Sequence, residues 1–375
     1  MPSGLSRMSQ LLICRMFFER FNVPGFTFID RPLASLYAAN LTSGCVIDIG
    51  QDETDIIPIH ESIVHHGSAF TIPIGIRDCE RYLAHILRSN TSVMAALGNA
   101  IHGQQHPKMI ERNLWGIARQ LWKEGHIKVP AEGEPEPEEE GTLDIAALLV
   151  SGRERALIEN IAAKRTNKNL SKADKEREKE IQAMDLVTIQ YSTFGNIIIG
   201  KERHRFCEPL FDPGLLIGIN AGLFGRDVQK ALDEDSLPEK VENLKGNEEG
   251  EMVMPLHAAV HTTIMTRPAS ERPHLYLGLL ITGDLAKIHG MCHVGSITEF
   301  SVLRNNQTGL GFALQSRVAP YLTRDLIPGD ETQVPPQPCR AKVAKIPEYF
   351  AEFRDRWDIL APFLGSEIIA KVRSL

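Results

Sequence analysis

Two short apolar runs, residues 45–47 and 56–59, flank a polar turn that contains Gly50. The first run is continuous and rich in β-branched side chains, the pattern of a buried strand. The second predicts its hairpin partner. Asp48 closes the first run just ahead of the turn. A carboxylate at a strand end followed by a glycine turn is one way to hold phosphate and a hydrated metal ion; a plain polar hairpin turn is the other reading.

The same reading places further elements along the chain. Met8, Leu11 and Leu12 predict a helix over 5–22 with an apolar face, ended by Pro24-Gly25, and a short strand over 27–29 follows. Pro32 stands where a first-turn proline belongs, ahead of a helix over 33–39. Tyr82, Leu83, Ile86 and Leu87 predict a helix over 76–89, and the wide stripe Leu114, Ile117, Ala118, Leu121 and Trp122 predicts another over 107–124. Strands are expected over 186–191 and 196–199 around a turn at Phe194-Gly195, and over 275–281, ending at Thr282-Gly283-Asp284. Helices are expected over 256–265 and 364–372.

Charged and proline-rich stretches interrupt this order. Residues 132–140 are all glutamate, glycine or proline; they self-repel and cannot bury surface, so a disordered loop is expected. Residues 164–180 mix both charges and read either as an exposed helix or as a flexible insertion. A second acidic insert with lysines spans 233–251, and 334–338 reads as a linker.

Bulk properties narrow the function. The net charge of −7 argues against nucleic-acid binding by bulk electrostatics. Cysteines 14, 45, 79, 207, 292 and 339 form no CxxC pair, which argues against a zinc site or disulfide framework and fits reduced thiols. The apolar run 11–18 contains Arg15, is too short to span a membrane and lacks the layout of a signal peptide.

Residues 19–25, 33–38, 44–60, 200–211, 280–284 and 363–370 together resemble the actin family in order and spacing, and within it the actin-related proteins of fungal chromatin-remodelling complexes. The resemblance implies an α/β fold of the two-lobed actin–hexokinase (ribonuclease-H-like) type with charged insertions. It begins partway into that fold, so an N-terminally incomplete lobe, with apolar surface that needs covering, is expected. Residues 1–41 and 340–375 would form a remnant of the first subdomain, 42–76 and 216–335 the third, and 77–215 the fourth.

The resemblance also points to an eroded nucleotide pocket. Asp48 and Gly50 match the family's second phosphate loop, but the next two positions, an aspartate and a glycine in the family, are Gln51 and Asp52. Gln51 brings no charge to a metal, and Asp52 sets a carboxylate where phosphate would approach. Asp55 takes the place of a water-ordering histidine, and Arg31 that of the catalytic glutamine. An arginine cannot accept a proton from water. Lys123 and Glu124 match the base- and ribose-binding pair. The third loop reads Thr282-Gly283-Asp284, with an acid for the second glycine, and Ile288 replaces a tyrosine beside the base. No catalytic residue, no metal and no bound cofactor are expected.

Other motifs carry less. Residues 195–202 nearly spell a P-loop, but Glu202 stands where Ser or Thr is required and the middle is apolar. His257 and His261 lie four apart without the glutamate of a zinc protease, and read as ordinary helix residues. His65-His66 and Met291-Cys292-His293 have no partner cluster. Tyr37, Ile369 and Val372 match the family's groove for partner helices, and read equally well as core. The resemblance thus implies a non-catalytic nuclear scaffold subunit of a SWI/SNF or RSC type remodelling complex. Its partners would be a helix of the motor subunit and a second actin-related protein, without membrane association or direct DNA contact. The alternative is a nucleotide-binding ATPase or switch of the actin–hexokinase superfamily.

Overall fold

A computed structural model describes residues 5–100, 107–129, 185–191, 195–220, 253–290, 309–324, 340–347 and 357–373. The expectations for 132–140, 164–180, 233–251, 291–293 and 334–338 lie outside these residues. The chain forms two compact units, Met1–Ile76 with Val253–Leu375, and Arg77–Met252.

The first unit opens with helix α1 (Arg7–Arg20), where Ser6 caps the N-terminus by accepting from the Ser9 N–H. The helix forms as expected, but its apolar face does not find a core among the described residues: Met8, Leu11 and Leu12 are 66%, 57% and 58% exposed. The strand expected over 27–29 is absent. Phe26, just ahead of it, packs between Phe17 and Phe28, with ring centroids 4.5 and 4.8 Å away. Helix α2 (Arg31–Ala38) begins with Pro32 in its first turn.

Strands β1 (Gly44–Ile49) and β2 (Thr54–His60) are the expected hairpin, in the register Val46↔Ile57 and Asp48↔Asp55. Two short strands, β3 (Ile63–Val64) and β4 (Phe70–Ile72), pair with β2.

The second unit contains helices α3 (Ile76–Ser89), α4 (Thr91–Ala100) and α5 (Pro107–Lys123), a short strand β5 (Lys128–Val129), and the antiparallel pair β6 (Val187–Gln190) and β7 (Asn196–Ile199). Two single turns of helix follow, α6 (Glu208–Phe211) and α7 (Ile217–Asn220). The stripe foreseen on α5 is buried in full. A buried carboxylate knits α3 to α5: Glu80 accepts from Arg119 Nη2 at 3.1 Å and from Trp122 Nε1 at 2.9 Å. Asp78 and Arg81, each side chain 1% exposed, form a buried ion pair on α3. Helix α4 was not foreseen, although Asn90 caps it by accepting from the Ser92 and Val93 N–H groups.

The chain returns to the first unit with α8 (Leu256–Met265), as expected. The single strand expected over 275–281 is instead helix α9 (Arg272–Leu277) followed by β8 (Leu279–Thr282). Short apolar runs carry no clear period, and Pro273 in the first turn favours helix. Arg272 also ties α9 back to the carbonyls of Met265 and Arg267. Helix α10 (Gly309–Arg324) went unread, although Leu310, Ala313, Leu314 and Val318 give it a buried face. Helix α11 (Trp357–Arg373) starts well before residue 364 because Pro362 sits inside it rather than at a boundary.

Sheet order is β3-β2-β1-β8, with β8 parallel to β1 in the register Val46↔Leu280 and Asp48↔Thr282. On one face Val46, Ile57, Ile59 and Leu280 join Leu36, Ala38, Ala361 and Leu364 in one core. Helices α2 and α11 can meet there because residue 365 is glycine: a Cβ would stand 1.7 Å from the Ala34 carbonyl oxygen. Helices α8 and α9 also lie against β1 and β2. This is the expected α/β actin-like fold.

Candidate functional site

The parallel register of β1 and β8 brings both strand ends to one edge of the sheet, where α/β folds place ligands. Asp48 and Thr282 stand side by side there, and the Thr282 hydroxyl donates to Asp48 Oδ1 at 3.2 Å. Arg31, the first residue of α2, donates to the same oxygen from Nη2, also at 3.2 Å. The Asp48 side chain is 18% exposed and that of Arg31 44%. Burial raises the Asp48 pKa above the usual carboxylate range, Arg31 and Thr282 pull it down, and the nearby charges of Asp55 and Asp284 push it up again. Asp55, directly across the hairpin from Asp48, accepts from Thr71 Oγ1 at 2.6 Å.

Glycines shape the loops at this edge. The Gly50 N–H closes the hairpin turn on the Glu53 carbonyl at 2.9 Å, and the Ile76 N–H donates back to the Gly50 carbonyl at 3.0 Å. Gly283 has φ 103°, and a Cβ there would stand 2.4 Å from the Ile49 carbonyl oxygen. The loop after β8 thus abuts the end of β1. Gln51 is exposed, and Asp52 and Asp284 are partly exposed. The set does not fit a magnesium-bound triphosphate. Asp48 already engages an arginine and a threonine, and Asp52, Asp55 and Asp284 add like charge at this edge.

The remaining candidates fall elsewhere. Lys123 ends α5 in the second unit, Glu124 follows it, and both are exposed. The Lys123 ammonium lies 5.8 Å from the Trp122 ring centroid, and Glu124 accepts from Gln120 at 2.7 Å and contacts His126 at 3.1 Å. Tyr37 and Ile369 are partly exposed, one on each of the packed helices α2 and α11. Val372 lies in α11, with its side chain outside the description. Phe363 on α11, 57% exposed, was not singled out beforehand; its large apolar side chain within the last matching block was the available signal.

The P-loop-like stretch is strand β7, and the Gly200 N–H donates to Glu202 Oε1 at 3.1 Å rather than facing an open cradle. His261 contacts the Tyr276 hydroxyl at 2.8 Å and stacks on Tyr321 at 4.6 Å. Among the described residues no group of three or more His, Cys, Asp or Glu side chains could hold a metal ion, and no helix is long and apolar enough to cross a membrane.

Residues 4–120 match the family model described as Actin. The mixed sheet and its flanking helices agree with that match, and the chain is similar to actin-related proteins. It is 26% identical, over 99% of its length, to the protein named SWI/SNF and RSC complexes subunit arp9 of Schizosaccharomyces pombe, and spans 65% of that relative. A shorter stretch, 22% of the chain, is 39% identical to Actin-related protein 7 of rice and covers 23% of it. Another, 20% of the chain, is 36% identical to Actin-related protein 2 of S. pombe and covers 19% of it.

Proposed function

We propose that this chain is a non-catalytic scaffold subunit of a nuclear ATP-dependent chromatin-remodelling complex of the SWI/SNF and RSC kind. It docks a helix of the motor subunit through Tyr37, Ile369 and Val372 on α2 and α11, and pairs with a second actin-related protein. Likeness to a relative named as a subunit of those complexes, across nearly the whole chain, supports membership. The non-catalytic part rests on one observation: Arg31 and Thr282 both engage Asp48 Oδ1. An internal cation engages the carboxylate that a nucleotide-bound magnesium would need, and an arginine stands where a water-positioning glutamine would be.

Within this reading, residues 42–76 and 216–335 act as the third actin-like subdomain, 77–215 as the fourth, and 1–41 with 340–375 as part of the first. Retained architecture around an eroded pocket fits a fold kept for docking. Thermal melting with and without magnesium ATP tests the non-catalytic part. A ligand at a hundred times its Kd stabilises by about 2.7 kcal/mol, a shift of several degrees. No shift is expected, and a clear upward shift would favour a nucleotide-dependent switch.

A further inference from the structure

We infer that His65 and Arg267 form a pH-sensitive clasp that fixes residues 60–70 to the turn after α8, closed while the His65 ring is neutral and opened by its protonation. The two side chains are far apart in sequence yet meet at 3.2 Å, Arg267 Nη2 to His65 Nε2. A guanidinium only donates, so Nε2 must carry the lone pair and the ring proton must sit on Nδ1. The same arginine donates to the Ser68 hydroxyl at 3.5 Å and to Glu271 Oε2 at 2.9 Å. One side chain thus joins the β3–β4 connection to the α8–α9 connection.

Both ends are anchored by their main chains. The Arg267 N–H donates to the Ile264 carbonyl at 3.0 Å, and its own carbonyl accepts from Arg272 Nε at 2.8 Å. The His65 N–H donates to the Pro58 carbonyl at 3.1 Å, and the His65 carbonyl accepts from the Ser68 N–H at 3.0 Å. The clasp therefore holds two pieces of backbone in register rather than two loose side chains.

Protonation of His65 removes the acceptor and leaves two cations in contact. The groups around the ring are Arg267, Glu271 and His60; Glu271 favours the charged ring but is already bound to Arg267. Burial first, then Arg267 and, more weakly, His60 hold the His65 pKa below the ordinary histidine value. A depressed folded-state pKa means stability present above the unfolded value and lost as pH falls through the folded one. The neighbouring His66 Nε2 lies 3.2 Å from Asp30 Oδ2. His60 is set against His274, with ring centroids 5.7 Å apart. The clasped segment carries Ile63 and Phe70, 61% and 38% exposed, so its closure sets how these apolar side chains are presented.

The test is amide hydrogen exchange of residues 60–70 in the full chain at about pH 7.5 and about pH 5.5, corrected for intrinsic rates. Protection is expected to fall about tenfold at the lower pH. In His65→Gln, whose amide oxygen accepts from Arg267 and cannot be protonated, the fall disappears; in His66→Gln it remains. Unchanged wild-type protection, or a fall that persists in His65→Gln, would overturn the clasp. So would ring nitrogen resonances that place the neutral His65 proton on Nε2.

Discussion

Arg31 and Asp48 stand seventeen positions apart and meet at 3.2 Å, on an oxygen that also accepts from Thr282. A positive side chain at the head of α2 thereby neutralises the acid at the end of β1. Because burial sets Asp48 above the usual carboxylate range, its proton is bound more tightly in the folded chain than in the unfolded one. The resulting contribution to stability is complete below the unfolded carboxylate value and is lost as pH rises through the folded one. Ionised Asp48 is therefore a net cost at neutral pH. Asp48→Asn, which keeps an oxygen for both donors, should melt at or above the wild-type temperature near neutrality, with the difference vanishing below about pH 4.

Removing the cation has the opposite effect. Arg31→Met leaves Asp48 facing Asp55 and Asp284 with only the Thr282 hydroxyl to offset their charge. Arg31 is 44% exposed, so solvent screens much of the pair. Denaturant titration should show a loss of about 1 kcal/mol, well short of the 3–5 kcal/mol typical when a buried bridge is broken.

That larger figure belongs to Asp78 and Arg81, both of which are buried in α3. Arg81→Leu alone should cost about 3–5 kcal/mol because it breaks a buried ion pair. Replacing both residues with apolar side chains of similar volume should recover most of the loss. Equal losses in the single and double variants would show that the pair is not what links them.

Contact between α2 and α11 depends on Gly365, where a Cβ would come within 1.7 Å of the Ala34 carbonyl oxygen. Main-chain atoms cannot swing aside as a side chain can, so Gly365→Ala should cost about 3 kcal/mol or more by chemical denaturation. An unchanged midpoint would mean that the helices have room to part.

Thiol reactivity gives a separate check on the core. Burial pushes Cys45 and Cys207 up to about 12, and Cys79 well above the ordinary thiol value. Cys14 is partly exposed on α1. Alkylation of the native chain followed by mass spectrometry should modify Cys14 and leave Cys45, Cys79 and Cys207 intact until the chain is unfolded.

Local pattern made much of this fold legible. The hairpin, α3, α5 and α8 follow from runs and stripes long enough to show their period. The strand expected over 275–281 became α9 and β8 because a seven-residue, mostly apolar run has no period to distinguish helix from strand. Helix α11 was cut short because Pro362 reads as a boundary when only neighbours are considered. At the candidate site, Arg31, Asp48, Asp55 and Asp284 were each legible as residue types. Their closure on one another was not, since it depends on a parallel register between strands more than 200 residues apart in sequence. The bare face of α1 shows the limit from the other side: spacing predicts an apolar face but not what covers it.

The most direct test of the scaffold assignment is affinity purification of the tagged chain from nuclear extract, with mass spectrometry of what it brings down. Recovery of a remodelling ATPase together with a second actin-related protein is the expected result, and substitution of Tyr37 and Ile369 should then release the motor subunit. Recovery of the chain without either partner would contradict the proposal and return attention to the edge where Asp48 and Thr282 meet.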